Sequence, residues 1–338
     1  MGRTDSSDSL RALDVELGEV PGLGGLYARG AGASVRMTVA ARVGRGRSAL
    51  ESLALGGPGL GPDRRGLGAL PTVAYLARDV RADADRLTAY QHLLGESASD
   101  VLPAGFVHVL AFPVAMALMV RPDFPLPLAG LVHVANRVEQ RRPVALGDVI
   151  DVRAYAEDLR AHRSGTQVDL VTEIRLAGEP ADVEPAWRGR STYLAKGSHL
   201  SDAARSLARA RSDTSGDGVA RGGGLPMPTG QWRLAADVGR RYAAVSGDRN
   251  PIHLSALTAR AFGFPRAIAH GMYTASRALA TVGAARTDAF TWTVAFTSPV
   301  LLPGTVTVRV SGDDGAFTFS GWNARTAKVH FTGTVVPH

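Results

Sequence analysis

Residues 242–272 read YAAVSGDRNPIHLSALTARAFGFPRAIAHGM, and the rest of the 338-residue chain is organised around them. Asp248, Asn250 and His253 fall within six residues, in a segment that cannot be one continuous helix. Gly247 suits the position just past a helix C-terminus, where φ > 0 is needed. Pro251 removes a donor and drives Asn250 out of the α region. The spacing therefore predicts a helix ending near Ser246, a tight turn carrying Asp248 and Asn250, and a short helix from about His253. Such a turn can aim a carboxylate and an imidazole at one point, and these are the side chains most used for proton transfer near neutral pH. Phe264-Pro265 then breaks the chain, and His270-Gly271-Met272 opens an apolar helix to about Ala285.

Working outward, Gln231–Leu234 reads as a strand and Asp237 as the cap of a helix over Val238–Ser246. Strands are expected at Trp292–Thr297, Val306–Ser311, Phe317–Trp322 and Ala327–Val335. The same order of elements runs through residues 72–197. Thr72–Arg78 is β-like, Asp83 or Asp85 can cap a helix through Leu94, and Gly95 follows it. The apolar run Leu102–Val120 is followed by β segments at Leu131–Ala135, Val149–Ala156, Gln167–Leu176 and Trp187–Ala195. Four strands after one apolar helix imply an antiparallel sheet wrapped on that helix, an α+β layout present twice. Laying residues 106–119 on 264–279 puts Phe112 opposite His270 and Pro113 opposite Gly271. Tyr90 then precedes Phe106 by 16 residues where Tyr242 precedes Phe264 by 22, so the first copy is six residues shorter at the turn. It carries no Asp/His pair, and its His92 and His108 read as structural. The resulting division is an N-terminal extension, partly irregular, over 1–70, a degenerate copy over 71–197, a Ser/Asp/Arg/Gly-rich linker over 198–225 and the motif-bearing copy over 226–338. Within the extension Val35–Val43 alternates like a strand, and 44–70 reads as loop or disorder.

The length suits two domains of roughly 110–160 residues. There is no cysteine, which excludes disulfides, thiolate metal sites and cysteine nucleophiles. The net charge of +7 comes almost wholly from arginine, with Lys196 and Lys328 the only lysines. It can attract phosphates or an acidic carrier protein, or be a scattered surface excess. No basic run interleaved with aromatics points to nucleic acid. Leu102–Val120 spans nineteen residues without a formal charge, but Pro103, Pro113 and His108 fit a helix buried in protein, and no membrane span is expected. The first twenty residues lack an apolar signal core, so a cytoplasmic location is expected. GGPGLG at 56–61 follows no strand, so it is not read as a nucleotide-binding loop.

The central stretch resembles the signature of the MaoC-like, R-specific enoyl-CoA hydratases and 3-hydroxyacyl dehydratases. That pattern runs aromatic, small residues, S-G-D-x-N-P-[ILV]-H, five residues, then Ala or Ser. Tyr242, Ser246, Gly247, Asp248, Asn250, Pro251, Ile252, His253 and Ala259 fit it without departure, and H-G-M follows at 270–272. The close match covers about 30 residues and a looser one covers 226–338. The resemblance implies a double hotdog: two long helices, each wrapped by an antiparallel β-sheet, fused as a pseudo-dimer. The fusion would do covalently what single-hotdog hydratases achieve by dimerising, as a pseudo-dimeric monomer or a homodimer.

It also implies reversible hydration of trans-2-enoyl thioesters to (3R)-3-hydroxyacyl thioesters, on coenzyme A or acyl carrier protein. Asp248 and His253 form the dyad by this analogy, with the order of proton transfer between them left open. Asn250 would orient the water or the dyad, and the Gly271 amide would hold the developing oxyanion, its missing side chain admitting the thioester. Ser246, Gly247, His270 and Met272 are placed against substrate. No cofactor is required, and one Asp with one His offers too few ligands for a closed metal site. The alternatives are a hotdog thioesterase, which would lack the D-x-N-P-x-H turn, and a non-catalytic acyl-thioester-binding subunit. Medium or long acyl chains are expected, because the shortened turn beside the apolar helix with Phe112, Val114, Met116 and Met119 leaves room for methylenes.

Overall fold

The structure is a computed structural model and describes residues 13–30, 69–128, 130–180, 182–199 and 225–338. The Val35–Val43 alternation, the 56–61 run and nearly all of the 198–225 linker lie outside the described residues.

The first half begins with strand β2 (Val73–Arg81), after a short N-terminal strand β1 (Leu13–Leu17) and a helix α1 over 23–30. Helix α2 (Ala84–Leu94) starts on Asp83, whose carboxylate accepts the Arg86 N–H at 2.7 Å, and stops at Gly95 in the left-handed region, φ 74°. Helix α3 (Ala104–Met119) carries no charge and buries every residue except the half-buried Phe112. Burying side chains such as Phe106, Val107, Val114 and Met116 is worth roughly 1.5–3 kcal/mol each. Pro113 stays within the helix. Among the described residues no helix is long and apolar enough to cross a membrane. Strands β3 (Leu131–Gln140), β4 (Val149–His162), β5 (Gly165–Leu176) and β6 (Trp187–Lys196) complete this half.

The second half repeats the order. Strand β7 (Gly230–Leu234) leads to α4 (Val238–Ser246), two short helices α5 (Pro251–Leu254) and α6 (Ala256–Ala261), and the apolar helix α7 (Gly271–Val282). A 3-10 turn at Gly283–Arg286 ends it, and β8 (Phe290–Phe296), β9 (Gly304–Asp313), β10 (Ala316–Asn323) and β11 (Lys328–Pro337) follow.

Among the described residues eleven strands form one sheet, in the order β1-β2-β4-β5-β6-β3-β8-β11-β10-β9-β7. Read outward from the middle, the halves run β3-β6-β5-β4-β2 and β8-β11-β10-β9-β7, so corresponding strands are mirrored in order about one seam. At that seam β3 and β8 are antiparallel, in register from Ala135 opposite Ala295 to Gln140 opposite Phe290. Inward-facing Trp187, Trp292, Phe290 and Phe331 are fully buried. A sheet wrapped on α3 and continued around α7 is the double hotdog.

The internal alignment needs correction. Pro103 precedes α3 as His270 precedes α7, each in extended backbone as the helix N-cap. An isolated bridge joins Val101 to Ala145 in one half and Ile268 to Leu301 in the other. Tyr90 packs on Phe106 at 5.2 Å and Tyr242 on Tyr273 at 5.8 Å, both edge-on. Pro103, not Phe112, therefore matches His270, and Ala104, not Pro113, matches Gly271. On this register Tyr90 precedes Phe106 by 16 residues and Tyr242 precedes Tyr273 by 31, so the first half is fifteen residues shorter, not six. The missing piece corresponds to α5, α6 and the approach to α7.

Candidate active site

The turn after α4 is built from its own polar atoms. Gly247 takes φ 76°, which a side chain would strain. Ser246 Oγ donates to the Tyr242 carbonyl at 2.7 Å and accepts the Asp248 N–H at 3.1 Å. Asp248 Oδ1 accepts the Asn250 N–H at 3.1 Å, an Asx turn. Asn250 is in turn the N-cap of α5, its Oδ1 facing the Ile252 N–H at 3.4 Å, with Pro251 in the first turn where it costs no hydrogen bond. This single helical turn fixes His253.

The His253 Nδ1 lies 2.8 Å from the Ile268 carbonyl, and His270 Nε2 lies 2.9 Å from the Asp248 carbonyl. A carbonyl only accepts, so these nitrogens carry the hydrogens, and His253 Nε2 and His270 Nδ1 are left with lone pairs. Burial, then the neighbouring His270, pushes the His253 pKa down to about 3. Burial likewise lowers that of His270. Both rings are neutral at pH 7. At Asp248 burial raises the pKa, but His270, His253, the Tyr27 hydroxyl and the Asn250 N–H together hold it below the ordinary carboxylate value. The site thus pairs an ionised carboxylate with a neutral imidazole whose free nitrogen is an acceptor. One ligand-capable atom from each of Asp248, His253 and His270 lies within 4.8 Å of the others. The donors available to a metal here number three, one more than the sequence reading counted.

These groups line a cavity of about 510 Å³ with Gly271, Met272 and Phe296. Its apolar wall comes from the first half: Val109, Phe112, Met116 and Met119 on α3, Leu128 beyond it, and Leu131 and Val132 on β3. That wall also carries polar rings the sequence reading did not place. His108 lies among the lining residues and is not remote from the turn. Its ring stacks toward Phe112 and toward His133, each at 6.2 Å, and His133 stacks on Tyr193 at 4.8 Å. Burial lowers the pKa of His108 to about 4 and that of His133 to about 3, the latter also depressed by His108. No sequence signal could have joined them, because they sit on α3, β3 and β6 and meet only through the sheet.

The expected site residues come together, with changes of part. Ser246 spends its hydroxyl within the turn. Gly247 is needed for its backbone conformation, and the Leu23 side chain fills the space beside it. His270 is both the N-cap of α7 and a support for the Asp248 backbone. Gly271 is not open space for a thioester: a Cβ there would fall 2.9–3.1 Å from the Phe296 ring, so the ring already occupies that side. Its amide remains available, since α7 has no side-chain cap and the first-turn N–H groups of a helix have no intrahelical partner. One contact was not anticipated at all: the Tyr27 hydroxyl, from α1, donates to Asp248 Oδ1.

Residues 231–334 match the MaoC-like domain. The chain is 35% identical over 269 residues to 3-hydroxyacyl-thioester dehydratase X of Mycobacterium tuberculosis, covering 79% of this chain and 90% of that one. A crystal structure of HtdX from the same organism superposes with a TM-score of 0.66 at 33% identity, over 78% of this chain and all of that one. A MaoC-like dehydratase from Phytophthora capsici, 19% identical, shares the fold with a TM-score of 0.57, over 79% of this chain and 95% of its own. With the dyad turn intact and the relationship running through both halves, the chain belongs to the MaoC-like dehydratases.

Proposed function

We propose that the protein interconverts trans-2-enoyl and (3R)-3-hydroxyacyl thioesters carried on phosphopantetheine, acting as a hydro-lyase. The observation that carries this is the fixed tautomer of His253 beside the Asp248 carboxylate. An imidazole that must offer its Nε2 lone pair, next to an acceptor-only carboxylate, can hold one water by both hydrogens. In hydration, that water attacks C3 as His253 Nε2 takes its proton, and the electron pair of the C2–C3 bond moves to the thioester oxygen. The first-turn amides at Gly271, helped by the α7 dipole, receive that oxyanion. The proton then passes from His253 to C2 as the carbonyl re-forms, and dehydration is the reverse. Asp248 accepts the second hydrogen of the water and favours the transient imidazolium.

The acyl chain extends along the α3 wall. With fifteen residues absent from the first half, Met116, Met119, Leu128 and Val132 face cavity. Each methylene placed there is worth about 0.8 kcal/mol, which favours medium and long chains over crotonyl. The same family membership in the M. tuberculosis relative named as a 3-hydroxyacyl-thioester dehydratase supports the reaction class. The test is loss of the enoyl-thioester absorbance with crotonyl-, octenoyl- and dodecenoyl-CoA, with chiral analysis of the product. The same three chains are offered on acyl carrier protein, and a 3S product, or no turnover of any chain length on either carrier, rejects the proposal.

A further inference from the structure

The N-terminal segment lies before both repeats, yet it reaches the dyad. β1 adds to the sheet edge, parallel to β2 from Leu13 opposite Val73 to Leu17 opposite Ala77. The chain then turns into α1, whose Leu23, Leu26, Tyr27 and Gly30 recur at the spacing of one helical face. Each of the four meets a different part of the body. Leu23 packs where a Gly247 side chain would be, its Cδ1 only 2.5 Å from that virtual Cβ. Leu26 is fully buried in the main core. Gly30 lies so close to Leu128 that a Cβ would fall 2.2 Å from its Cδ2. Tyr27, between them, lines the cavity and donates its hydroxyl to Asp248 Oδ1.

We propose that Tyr27 is a positioning residue of this site, α1 delivering a phenol that fixes the Asp248 carboxylate in its working orientation. The inference rests on the hydro-lyase reading above. Oδ1 is held by Tyr27 and by the Asn250 N–H, while Oδ2 lies 3.8 Å from His270 Nε2, beyond hydrogen-bond range, and can accept from water. The phenol remains a donor throughout the assay range, because burial and then the adjacent carboxylate raise its pKa far above neutral. Asp248 is faced by Tyr27 from α1, Tyr242 from α4, His253 and His270 from the turn, and His108, His133 and Tyr193 from the first half. After His270 and His253, the Tyr27 hydrogen bond is a further support of the charged carboxylate, ahead of the Asn250 N–H, and it persists where the histidines are neutral.

Tyr27→Phe keeps the ring and removes the donor. The expected result is a fall in kcat of about tenfold or more, as for a hydrogen bond to a charged group, with KM little changed. The acid limb of the kcat/KM–pH profile should move up by about one unit. Leu26→Ala, which loosens α1 without touching the hydroxyl, should move kcat and the profile in the same direction. Carboxyl ¹³C NMR of Asp248 is read alongside, and its titration should shift upward in Tyr27→Phe. A variant with an altered melting temperature but unchanged kcat, pH profile and Asp248 titration assigns Tyr27 to structure alone and overturns the inference. A rise in kcat makes α1 an obstructing plug and overturns it equally. If the wild-type protein turns over no enoyl thioester, the reaction assignment fails, and the NMR titration still decides whether Tyr27 governs Asp248.

Discussion

The imidazoles of His253 and His270 stack with ring centroids 3.6 Å apart, inclined by 26°. Burial keeps both rings neutral, and at His253 the stack adds to it, since two imidazolium ions at that separation would repel strongly. Each ring spends one nitrogen on a backbone carbonyl from the other's neighbourhood, Ile268 for His253 and Asp248 for His270. His270 ties the turn to the start of α7 and lies 3.8 Å from Asp248 Oδ2, while His253 Nε2 is the nitrogen left free for the proposed role of base.

Asp248→Asn and His253→Ala should each lower kcat by roughly 10²–10⁴, the range for general acid–base groups. Their circular dichroism should stay that of the wild type. The double variant should be little worse than either single one, since the pair acts on one water. Both single variants within tenfold of wild type would reject the dyad.

Acid should unfold this protein before carboxylate titration alone would. The folded pKa is about 3 for His133 and His253 and about 4 for His108, against about 6.5 in the unfolded chain. Between those values the unfolded state binds protons that the folded state refuses, so stability is present above pH 6.5 and is lost as the pH falls. Each such histidine contributes a slope of up to about 1.4 kcal/mol per pH unit. Glu96, raised by burial, acts in the opposite sense, but as one group. The urea midpoint at pH 7, 5.5 and 4.5 checks this, and a flat midpoint across that range contradicts it.

Gly271→Ala sets a methyl against the Phe296 ring. Overpacking of this kind costs about 1–3 kcal/mol, and the start of α7 should tilt to relieve it. A lowered melting temperature together with a reduced kcat is expected. Phe296→Leu in the same chain should recover most of the melting temperature. Should Gly271→Ala melt like wild type, the ring is not the reason for the glycine.

Val132→Trp narrows the first-half wall of the cavity. It should lower kcat/KM for dodecenoyl-CoA relative to crotonyl-CoA by tenfold or more, about 1.4 kcal/mol. An unchanged ratio would mean that the acyl chain does not run along β3.

The motif and the strand pattern were legible because both are local. S-G-D-x-N-P-x-H dictates its own Asx turn, cap and one-turn helix, and the alternating strands announce their spacing. The register between the repeats was not legible. α3 is apolar on all sides and starts after Pro103 without a polar cap, so nothing in its sequence marks where it begins. Phe112-Pro113 then attracted an alignment nine residues too far along. Tyr27 was hidden for another reason. The spacing of Leu23, Leu26, Tyr27 and Gly30 is helical, but it lies beside a long Gly-, Pro- and Arg-rich stretch, and its partners are more than two hundred residues away in Asp248 and Gly247.

The β3–β8 seam has an inherited consequence. In a symmetric dimer every substitution appears twice, so a change that widens one pocket must be tolerated where it disturbs the other. Here the sheet crosses the seam within a single polypeptide, and a substitution appears once. His108, His133 and Tyr193 stand in the wall from the first half, while Asp248 and His253 sit in the second. Both walls of the pocket are drawn from one polypeptide.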